Sequence, residues 1–261
     1  MSNIVVSHAE SGLVLASVVR ASRISPHFVR VTLGGSDLAR FEPLGFDQWM
    51  RLALPVSAGT RFDNLAPTFG MKGFLRYLTL PRGTRPVIRN YTVRSFRRSP
   101  LELDIDFVVH GTEGVAGPWA AAVQPGERVA FIDQGCGWRP VPASSYLLVC
   151  DESGLPAVAG VLRDLPRSAV GTAVVELFDL ADRQEVSAPP GVAVRWLVRP
   201  PGSAPGSAAL AALAELDVPT DPPYCFAVGE QALVTGTRRH LVARGVPKTH
   251  ITFSGYWRRP R

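Results

Sequence analysis

The sequence predicts two domains of different classes: an antiparallel, six-stranded β-barrel at residues 1–141 and a parallel-sheet α/β domain at residues 142–261. At 261 residues the chain is long enough for two ordinary domains. Its first half contains short strands with a single helix, whereas its second half alternates strands with helices. Hydrophobic residues make up 46% of the chain and charged residues 19%, which is typical of a globular protein with a substantial core.

Strand patterns in the first half predict the barrel. In the clearest of them, Leu103, Ile105 and Phe107 alternate with Asp104 and Asp106, which is the period of a strand. The glycines and proline of residues 114–118 predict the start of a helix that ends near residue 123. Residues 57–85 read as a long loop with one helical turn near 71–77. The other strands are expected at residues 13–20, 28–33, 49–54, 89–95 and 129–132.

The second half has the pattern of a parallel sheet. After a junction at residues 140–145, short apolar strands alternate with helices, and such alternation favours parallel pairing. The strands are expected at residues 146–150, 173–178, 193–198, 224–228 and 251–256. The helices are expected at residues 155–165, 208–215 and 231–244.

Composition and charge exclude several classes of function. No stretch approaches the ~18 apolar residues of a membrane span, and residues 1–10 lack the pattern of a signal peptide, so we expect a cytoplasmic protein. Three widely separated cysteines, Cys136, Cys150 and Cys225, predict neither a disulfide framework nor a metal site. The net charge of +6 suits nucleic acid or a small anion, but no nucleic-acid-binding motif is present. We therefore expect no nucleic acid partner.

One hexapeptide, residues 89–94, carries the strongest functional pattern in the chain. On a strand its side chains alternate, so Tyr91 and Val93 share one face while Asn90, Thr92 and Arg94 share the other. Such a strand can place hydrogen-bond donors along a planar anionic ligand against which the aromatic ring stacks. An exposed edge strand with polar side chains has the same pattern, so the hexapeptide alone leaves both interpretations open.

The order of the motifs resembles one known group. A small barrel with Arg-x-Tyr-Thr-x-Arg, a glycine-rich helix start and an α/β half are together similar to the ferredoxin-NADP reductase superfamily. Within it the chain most resembles the siderophore-interacting protein family of FAD-dependent ferric-siderophore reductases. The matching segments span nearly the whole chain and are residues 89–94, 104–111, 119–120, 151–157, 229–230 and 255–258.

The resemblance implies an FAD site in the barrel. Tyr91 would stack on the isoalloxazine ring, Thr92 would hydrogen-bond near the flavin N5, and Arg89 would contact the pyrophosphate. Arg94 would be a structural cation. A helix start with glycines suits a phosphate, because its backbone N–H groups are unpaired and close approach is possible. The further cofactor contacts implied are Asn90, His110, Gly111, Gly114, Val115 and Ala116.

The resemblance also implies contacts in the second half. Asp151 and Ser153 would lie at a turn that receives the nicotinamide nucleotide, and Tyr256 and Trp257 would lie near the flavin. Cys150 stands where the family usually has glycine, and a side chain at this turn is expected to hinder a pyridine nucleotide. The basic residues that would hold an anionic ferric siderophore are Arg51, Arg139 and Arg258.

The activity implied is reduction of Fe(III) in a siderophore to release Fe(II), with electrons from NAD(P)H or a ferredoxin-like donor carried through FAD. No acid, base or nucleophile of the protein is required, since FAD carries the electron transfer. Two alternatives remain. One is an NAD(P)H-flavin or ferredoxin-type reductase that serves another small acceptor, and the other is a flavin-binding module without turnover.

Overall fold

A computed structural model of the chain describes residues 2–7, 12–62, 65–67, 71–110, 114–217, 219 and 221–259. They form two compact units. The N-terminal unit comprises the described parts of Val6–Leu44 and Gln48–Cys136, and the C-terminal unit comprises those of Met1–Val5, Gly45–Asp47 and Gly137–Arg261. The domain boundary expected between residues 141 and 142 stays a prediction.

The N-terminal unit contains an antiparallel sheet of seven strands among the described residues. In sheet order β4-β3-β7-β1-β2-β6-β5, each neighbouring pair is antiparallel. Two short α-helices of the described residues accompany it, α1 (Met71–Leu78) and α2 (Ala116–Ala122). The strands are β1 (Leu13–Ser25), β2 (Phe28–Gly34), β3 (Trp49–Leu54), β4 (Val87–Thr92), β5 (Ser95–Arg98), β6 (Leu101–Val108) and β7 (Arg128–Gly135). The antiparallel, barrel-like class is confirmed.

The seventh strand arises because the segment predicted as one strand, residues 89–95, is divided. Val93 donates its N–H to the Gln48 carbonyl at 2.8 Å, on the β3 side, and Arg94 donates to the Asp104 carbonyl at 2.9 Å, in β6. The chain thus passes from β4 to β5, which stand at opposite ends of the sheet order. The count of six strands was wrong for this reason. The hexapeptide connects the two edges of the sheet.

Alternation along β6 separates a hydrophobic core from a row of ion pairs. Leu103, Ile105 and Phe107 are completely buried among apolar side chains of the sheet. The acidic residues of the opposite face are also buried, and they avoid the cost of an unpaired buried charge because arginines accompany them. Asp106 accepts two hydrogen bonds from Arg30, at 2.6 and 2.8 Å, and lies 3.3 Å from Arg94 Nε.

Two further carboxylates of β6 are paired in the same row. Asp104 accepts hydrogen bonds from Arg97 at 2.6 and 3.0 Å and from the Thr32 hydroxyl at 2.7 Å. Glu102 accepts two hydrogen bonds from Arg20 and one from Arg97, each at 2.8 Å. Hydrogen bonds from Arg20 and Arg97 lower the pKa of Glu102 to about 2. Burial opposes the shift at Asp104, yet Arg97, Ser95 and Thr32 together lower its pKa to about 2.

These pKa values predict that the N-terminal unit loses stability in acid. The unfolded carboxyls titrate near pH 4 to 4.5, so the stabilisation is fully present above about pH 4.5 and is lost as the pH falls through about 2. For the buried Asp104 the difference corresponds to about 2 kcal/mol. Hydrogen exchange of β2 and β6 amides should therefore show Asp104→Asn destabilising the unit at neutral pH and much less near pH 2.

The control for this prediction is Asp221→Asn, since Asp221 is exposed and lies in the C-terminal unit. It should leave the exchange of β2 and β6 amides unchanged at both pH values. An Asp104→Asn effect of equal size at both pH values would contradict the ionic origin of the stabilisation.

The C-terminal unit is a parallel sheet with helices. In sheet order β10-β9-β8-β11-β12, every neighbouring pair is parallel, which confirms the α/β class. The strands are β8 (Tyr146–Cys150), β9 (Val170–Leu177), β10 (Gly191–Val198), β11 (Tyr224–Glu230) and β12 (Ile251–Trp257). The helices are α3 (Leu155–Asp164), α4 (Ser207–Ala214) and α5 (Gln231–Ala243).

A short segment from the first half of the chain also belongs to this unit. Asp47 is completely buried and accepts hydrogen bonds from the backbone N–H groups of Gly137, at 3.0 Å, and Trp138, at 2.8 Å. Burial raises the pKa of Asp47 to about 6. The adjacent Phe46 ring is stacked against Trp138, with 6.2 Å between the ring centroids. These contacts explain why Gly45–Asp47 groups with the C-terminal unit.

None of the helices in the described part of the chain is sufficiently long and apolar to cross a bilayer. The longest of them, α5, has 13 residues, whereas a spanning helix needs about 20.

Candidate functional site

The ring of Tyr91 connects the hexapeptide to α2. Tyr91 lies opposite Met50 in the β3–β4 pair, is half-buried, and its ring centroid is 4.3 Å from that of Phe107. Phe107 in turn lies 5.5 Å from the Trp119 ring of α2. Burial raises the pKa of Tyr91, so its phenol stays protonated at neutral pH. The side of β4 that carries Tyr91 is therefore the side on which α2 packs.

Arg89 lies two residues before Tyr91 and shares its face of β4. The side chain is exposed, and its guanidinium donates to the Ile88 carbonyl at 2.9 Å. No described carboxylate lies within ion-pair distance of it, in contrast to the paired arginines that line β6. An exposed guanidinium without an acidic partner is suited to an anionic ligand such as a phosphate.

The other face of β4 carries polar groups from two strands. Asn90 lies opposite Arg51, and Thr92 lies opposite Trp49. Directly opposed residues of an antiparallel pair point to the same side of the sheet. Burial lowers the pKa of Arg51, which remains a cation. The indole Nε1 of Trp49 is buried and has no hydrogen-bond partner among the described residues.

The start of α2, a helix that packs against β1, β2 and β6, supplies backbone donors. Gly114 has φ +83°, which favours glycine, and apart from its chain neighbours no atom of the described residues lies within 4 Å of the position where a Cβ would stand. Val115 caps α2, and Ala116 is its first residue, so their N–H groups precede the intrahelical bonds. His110, just after β6, is exposed. The predicted contact Gly111 lies outside the described residues.

In the C-terminal unit the predicted turn is organised around a buried carboxylate. Asp151 is completely buried and accepts hydrogen bonds from the Ser153 N–H at 2.9 Å and its hydroxyl at 2.6 Å. It also accepts from the N–H groups of Gly154, at 3.2 Å, and Glu230, at 2.7 Å, and from the Trp257 indole at 3.0 Å. Burial raises its pKa, which these donors oppose. Three predicted residues, Asp151, Ser153 and Trp257, are thus brought together, with Asp151 holding the turn to the closing strand.

Two neighbours show how closely this turn is packed. Gly229 has φ +133°, and a Cβ there would lie 2.6 Å from an Asp151 oxygen, so a larger residue would displace the carboxylate. Cys150 is completely buried, and a Cβ on Gly154 would lie 2.7 Å from the Cys150 Cβ. The cysteine lies beneath the turn. The expected hindrance of a pyridine nucleotide by its side chain stays a prediction.

The remaining predicted residues of the substrate and flavin sites are mostly exposed and are divided between the two units. Tyr256 is 38% exposed at the end of β12, and Arg258 follows it on the surface. Arg139 is exposed and belongs to the same unit, whereas Arg51 lies on β3 of the N-terminal unit. A shared anion site formed by Arg51, Arg139 and Arg258 stays a prediction.

Sequence reasoning did not identify a buried ionic triad beside the turn. Arg199 donates to Glu152 at 2.9 Å and to Glu176 at 2.8 Å, and its guanidinium carbon lies 4.6 Å from the Phe178 ring centroid. Burial raises the pKa of Glu152 to about 7, although Arg199 opposes the shift. Glu176 also accepts from two N–H groups at the start of α4. The sequence contained one signal for this triad: Glu176 is a single carboxylate within the apolar segment that forms β9, and a buried carboxylate is rarely left unpaired.

Comparison with known proteins gives a consistent result for both halves of the chain. The siderophore-interacting FAD-binding domain matches residues 17–137, and the siderophore-interacting protein model matches residues 143–260. Ferric vibriobactin reductase of Vibrio cholerae is 32% identical, with 94% of this chain and 89% of that protein covered. The NADPH-dependent ferric-chelate reductase of Escherichia coli is 31% identical, with 92% and 91% covered. The crystal structure of a siderophore utilization protein from T. fusca aligns with a TM-score of 0.78 at 36% identity, covering 95% and 94%.

Proposed function

The chain belongs to the siderophore-interacting protein family, and from this membership we propose that it reduces the iron of a ferric siderophore with electrons from NAD(P)H. Its N-terminal unit is the FAD-binding domain of that family. Two relatives that align over nearly their whole length are named as ferric reductases, one for ferric vibriobactin and one for ferric chelates. These names support the reaction class, and the geometry of β4 supports the cofactor.

The observation that carries the proposal is the face of β4 shared by Arg89 and Tyr91. It combines an exposed guanidinium that has no acidic partner among the described residues with an aromatic ring packed towards α2, whose first N–H groups precede its hydrogen-bonded turns. A pyrophosphate and a flat ring system require these groups. Bound FAD supplies the redox chemistry, because a flavin accepts two electrons as a hydride and releases them singly.

The residues of the chain bind and orient, and we assign no proton transfer to any of them. Hard oxygen donors bind Fe(III) more strongly than Fe(II), so one-electron reduction weakens the chelate without an acid or base from the protein. The exposed Arg139 and Arg258, together with Arg51, are proposed to attract an anionic ferric siderophore. The net charge of +6 also attracts an anionic substrate.

NADPH is the donor that the comparison favours, because the Escherichia coli relative is named for it. A ferredoxin-like protein is the other proposed donor. We also propose a cytoplasmic location, since reduced nicotinamide nucleotides are produced there and none of the three cysteines, all within the described residues, forms a disulfide.

Anaerobic reduction of the FAD-loaded protein tests the proposal. NADPH should bleach the flavin absorbance without a mediator, and ferric siderophores should then restore it while a chelator captures two Fe(II) per NADPH, since a hydride carries two electrons. Bleaching only with a ferredoxin-like protein would identify that donor instead. Reoxidation by none of a panel of catecholate, hydroxamate and carboxylate siderophores would contradict the substrate class and indicate another acceptor.

A pair of variants makes the substrate test specific to a residue. Arg258→Ala should raise KM for an anionic ferric siderophore with little change in kcat, because a contact equal in the ground and transition states affects KM alone. The control is Arg167→Ala, since Arg167 is an exposed arginine before β9. Equal KM values for both variants would exclude Arg258 from the substrate site.

A further inference from the structure

A cavity of about 540 Å³ lies on the edge strand of the C-terminal sheet. The connection from β9 to β10 forms a 3₁₀ turn at Leu180–Asp182 and then runs without regular structure to Gly191. It packs against β10 and lines one side of the cavity, which is open to solvent and has a volume in the range of small-molecule sites. The lining residues are Arg183, Gln184, Glu185, Val186, Val194 and Trp196.

The amide of Gln184 is the unusual group in this cavity. Both its Nε2 and its Oε1 are buried, and neither has a hydrogen-bond partner among the described residues. Buried polar groups in proteins are nearly always paired, because an unpaired donor or acceptor loses its hydration without compensation. The adjacent Arg183 and Glu185 are exposed, so their side chains can move aside without loss of core packing. A ligand that displaces these two side chains reaches both amide atoms and can pair them.

The other walls favour a flat ring. Trp196 lines the cavity, and the Arg183 guanidinium carbon lies 5.8 Å from the centroid of its indole ring. The guanidinium therefore lies over the face of the indole on which an aromatic ligand can stack. Val186 and Val194 supply apolar contacts beside it. The cavity therefore combines a stacking surface with one adjacent donor and acceptor.

We propose that this cavity binds the adenine base of an adenine nucleotide. Adenine presents its N6 donor beside a ring-nitrogen acceptor, and a glutamine amide pairs with both atoms at once. The base stacks on Trp196 while Arg183, at the exposed rim, pairs with a phosphate. Glu185 on the same rim accepts from ribose hydroxyls.

The cavity is distinct from the turn at Asp151. In the sheet, β10 is separated by β9 from β8, which precedes that turn, and the cavity residues Val194 and Trp196 lie within β10 itself. Adenine is present in free nucleotides and in NAD(P)H. If the bound adenine belongs to NAD(P)H, the inference rests on the proposed function. If it belongs to a free nucleotide, the inference is independent of that function.

Calorimetric titration of the FAD-loaded protein with AMP tests the inference. Gln184→Leu keeps the approximate volume of the side chain, removes both unpaired atoms, and should weaken AMP binding about tenfold or more. The control is Arg195→Gln, because Arg195 neighbours Trp196 on β10 but points to the opposite face. AMP binding that is absent, or equal in Gln184→Leu and wild type, would overturn the proposal. Thermal melting should show that Gln184→Leu is folded.

A second variant tests the identity of the base. Gln184→Glu offers two acceptors, which match the N1–H and N2–H₂ donors of guanine and repel the ring acceptor of adenine. It should lose AMP binding and gain GMP binding, whereas a variant that binds neither base more tightly than the other would overturn the pairing.

Competition identifies the source of the adenine. Displacement of AMP by NADPH indicates the dinucleotide, and displacement by ATP alone indicates a free nucleotide. Flavin bleaching is measured on the same samples. A failure of AMP binding with bleaching intact therefore rejects the adenine site without rejecting the reductase.

Discussion

Arg89→Ala should weaken FAD binding by about 10- to 100-fold, because a hydrogen bond to a charged group contributes about 1.5–3 kcal/mol. The Arg89 guanidinium is exposed and has no acidic partner among the described residues, so its removal leaves no buried charge and no unpaired carboxylate. The fold should therefore be unchanged. The measurement is FAD affinity by fluorescence titration of the apoprotein, with circular dichroism to confirm the β-rich structure.

Arg128→Ala is the matched control for this prediction. Arg128 is likewise an exposed arginine on a strand of the same sheet, but it is the first residue of β7, away from the hexapeptide. Its replacement should leave FAD affinity within about twofold of wild type, since an isolated surface charge contributes little. Equal FAD affinity in Arg89→Ala, Arg128→Ala and wild type would show that the pyrophosphate lies elsewhere.

Substitutions of Tyr91 separate the ring from the hydroxyl. Tyr91→Ala should release FAD and also destabilise the N-terminal unit, because the ring packs 4.3 Å from Phe107. Tyr91→Phe keeps the stacking surface and should retain the cofactor. Full flavin occupancy in Tyr91→Ala would contradict the placement of the isoalloxazine against this ring.

The second large effect is expected at Arg199. Arg199→Met should destabilise the C-terminal unit by about 3–5 kcal/mol, because it leaves the buried Glu152 and Glu176 without their cation. The loss should be largest near pH 8 and smaller near about pH 5.5, where the Glu152 carboxyl, whose pKa burial raises to about 7, is protonated and neutral. Urea denaturation measures the loss of stability, and hydrogen exchange of β8 and β9 amides shows that it occurs in the C-terminal unit.

Two further variants show whether charge is the cause. Arg195→Met removes an arginine that has no ion pair among the described residues and should cost far less than Arg199→Met at either pH. Combining Arg199→Met with Glu152→Gln and Glu176→Gln should recover part of the lost stability, since neutral amides avoid the cost of unpaired buried charge. A loss independent of pH, unrelieved by the glutamines, would indicate lost packing against Phe178 instead.

The fold was predictable because its patterns are local. Alternation in β6 identified a strand, and the apolar segments of β8 and β11 were recognised as buried parallel strands within a few residues of their bounds. The division of residues 89–95 into β4 and β5 was not predictable. It depends on hydrogen bonds from Val93 to Gln48 and from Arg94 to Asp104, which join residues distant in sequence.

The contacts that complete the candidate site were unpredictable for the same reason, since they too join residues distant in sequence. The sequence placed Asp151 and Ser153 at the nucleotide turn and Trp257 near the flavin only through resemblance, and it assigned all three to a ligand. The structure shows the Asp151 oxygens accepting five protein hydrogen bonds, a number that no spacing reveals. Glu152 and Arg199 lie 47 positions apart, so their ion pair was equally invisible.

By itself, the sequence determined the two fold classes, the family and the hexapeptide as the place to expect FAD, because periodicity and motif order are properties of neighbouring residues. Only the tertiary structure decided which charges are available. It buries the acidic face of β6 beneath arginines, engages Arg199 between two glutamates, and leaves Arg89 exposed without an acidic partner among the described residues. The physical reason is that the pairing of a charge depends on distances between residues that folding alone brings together.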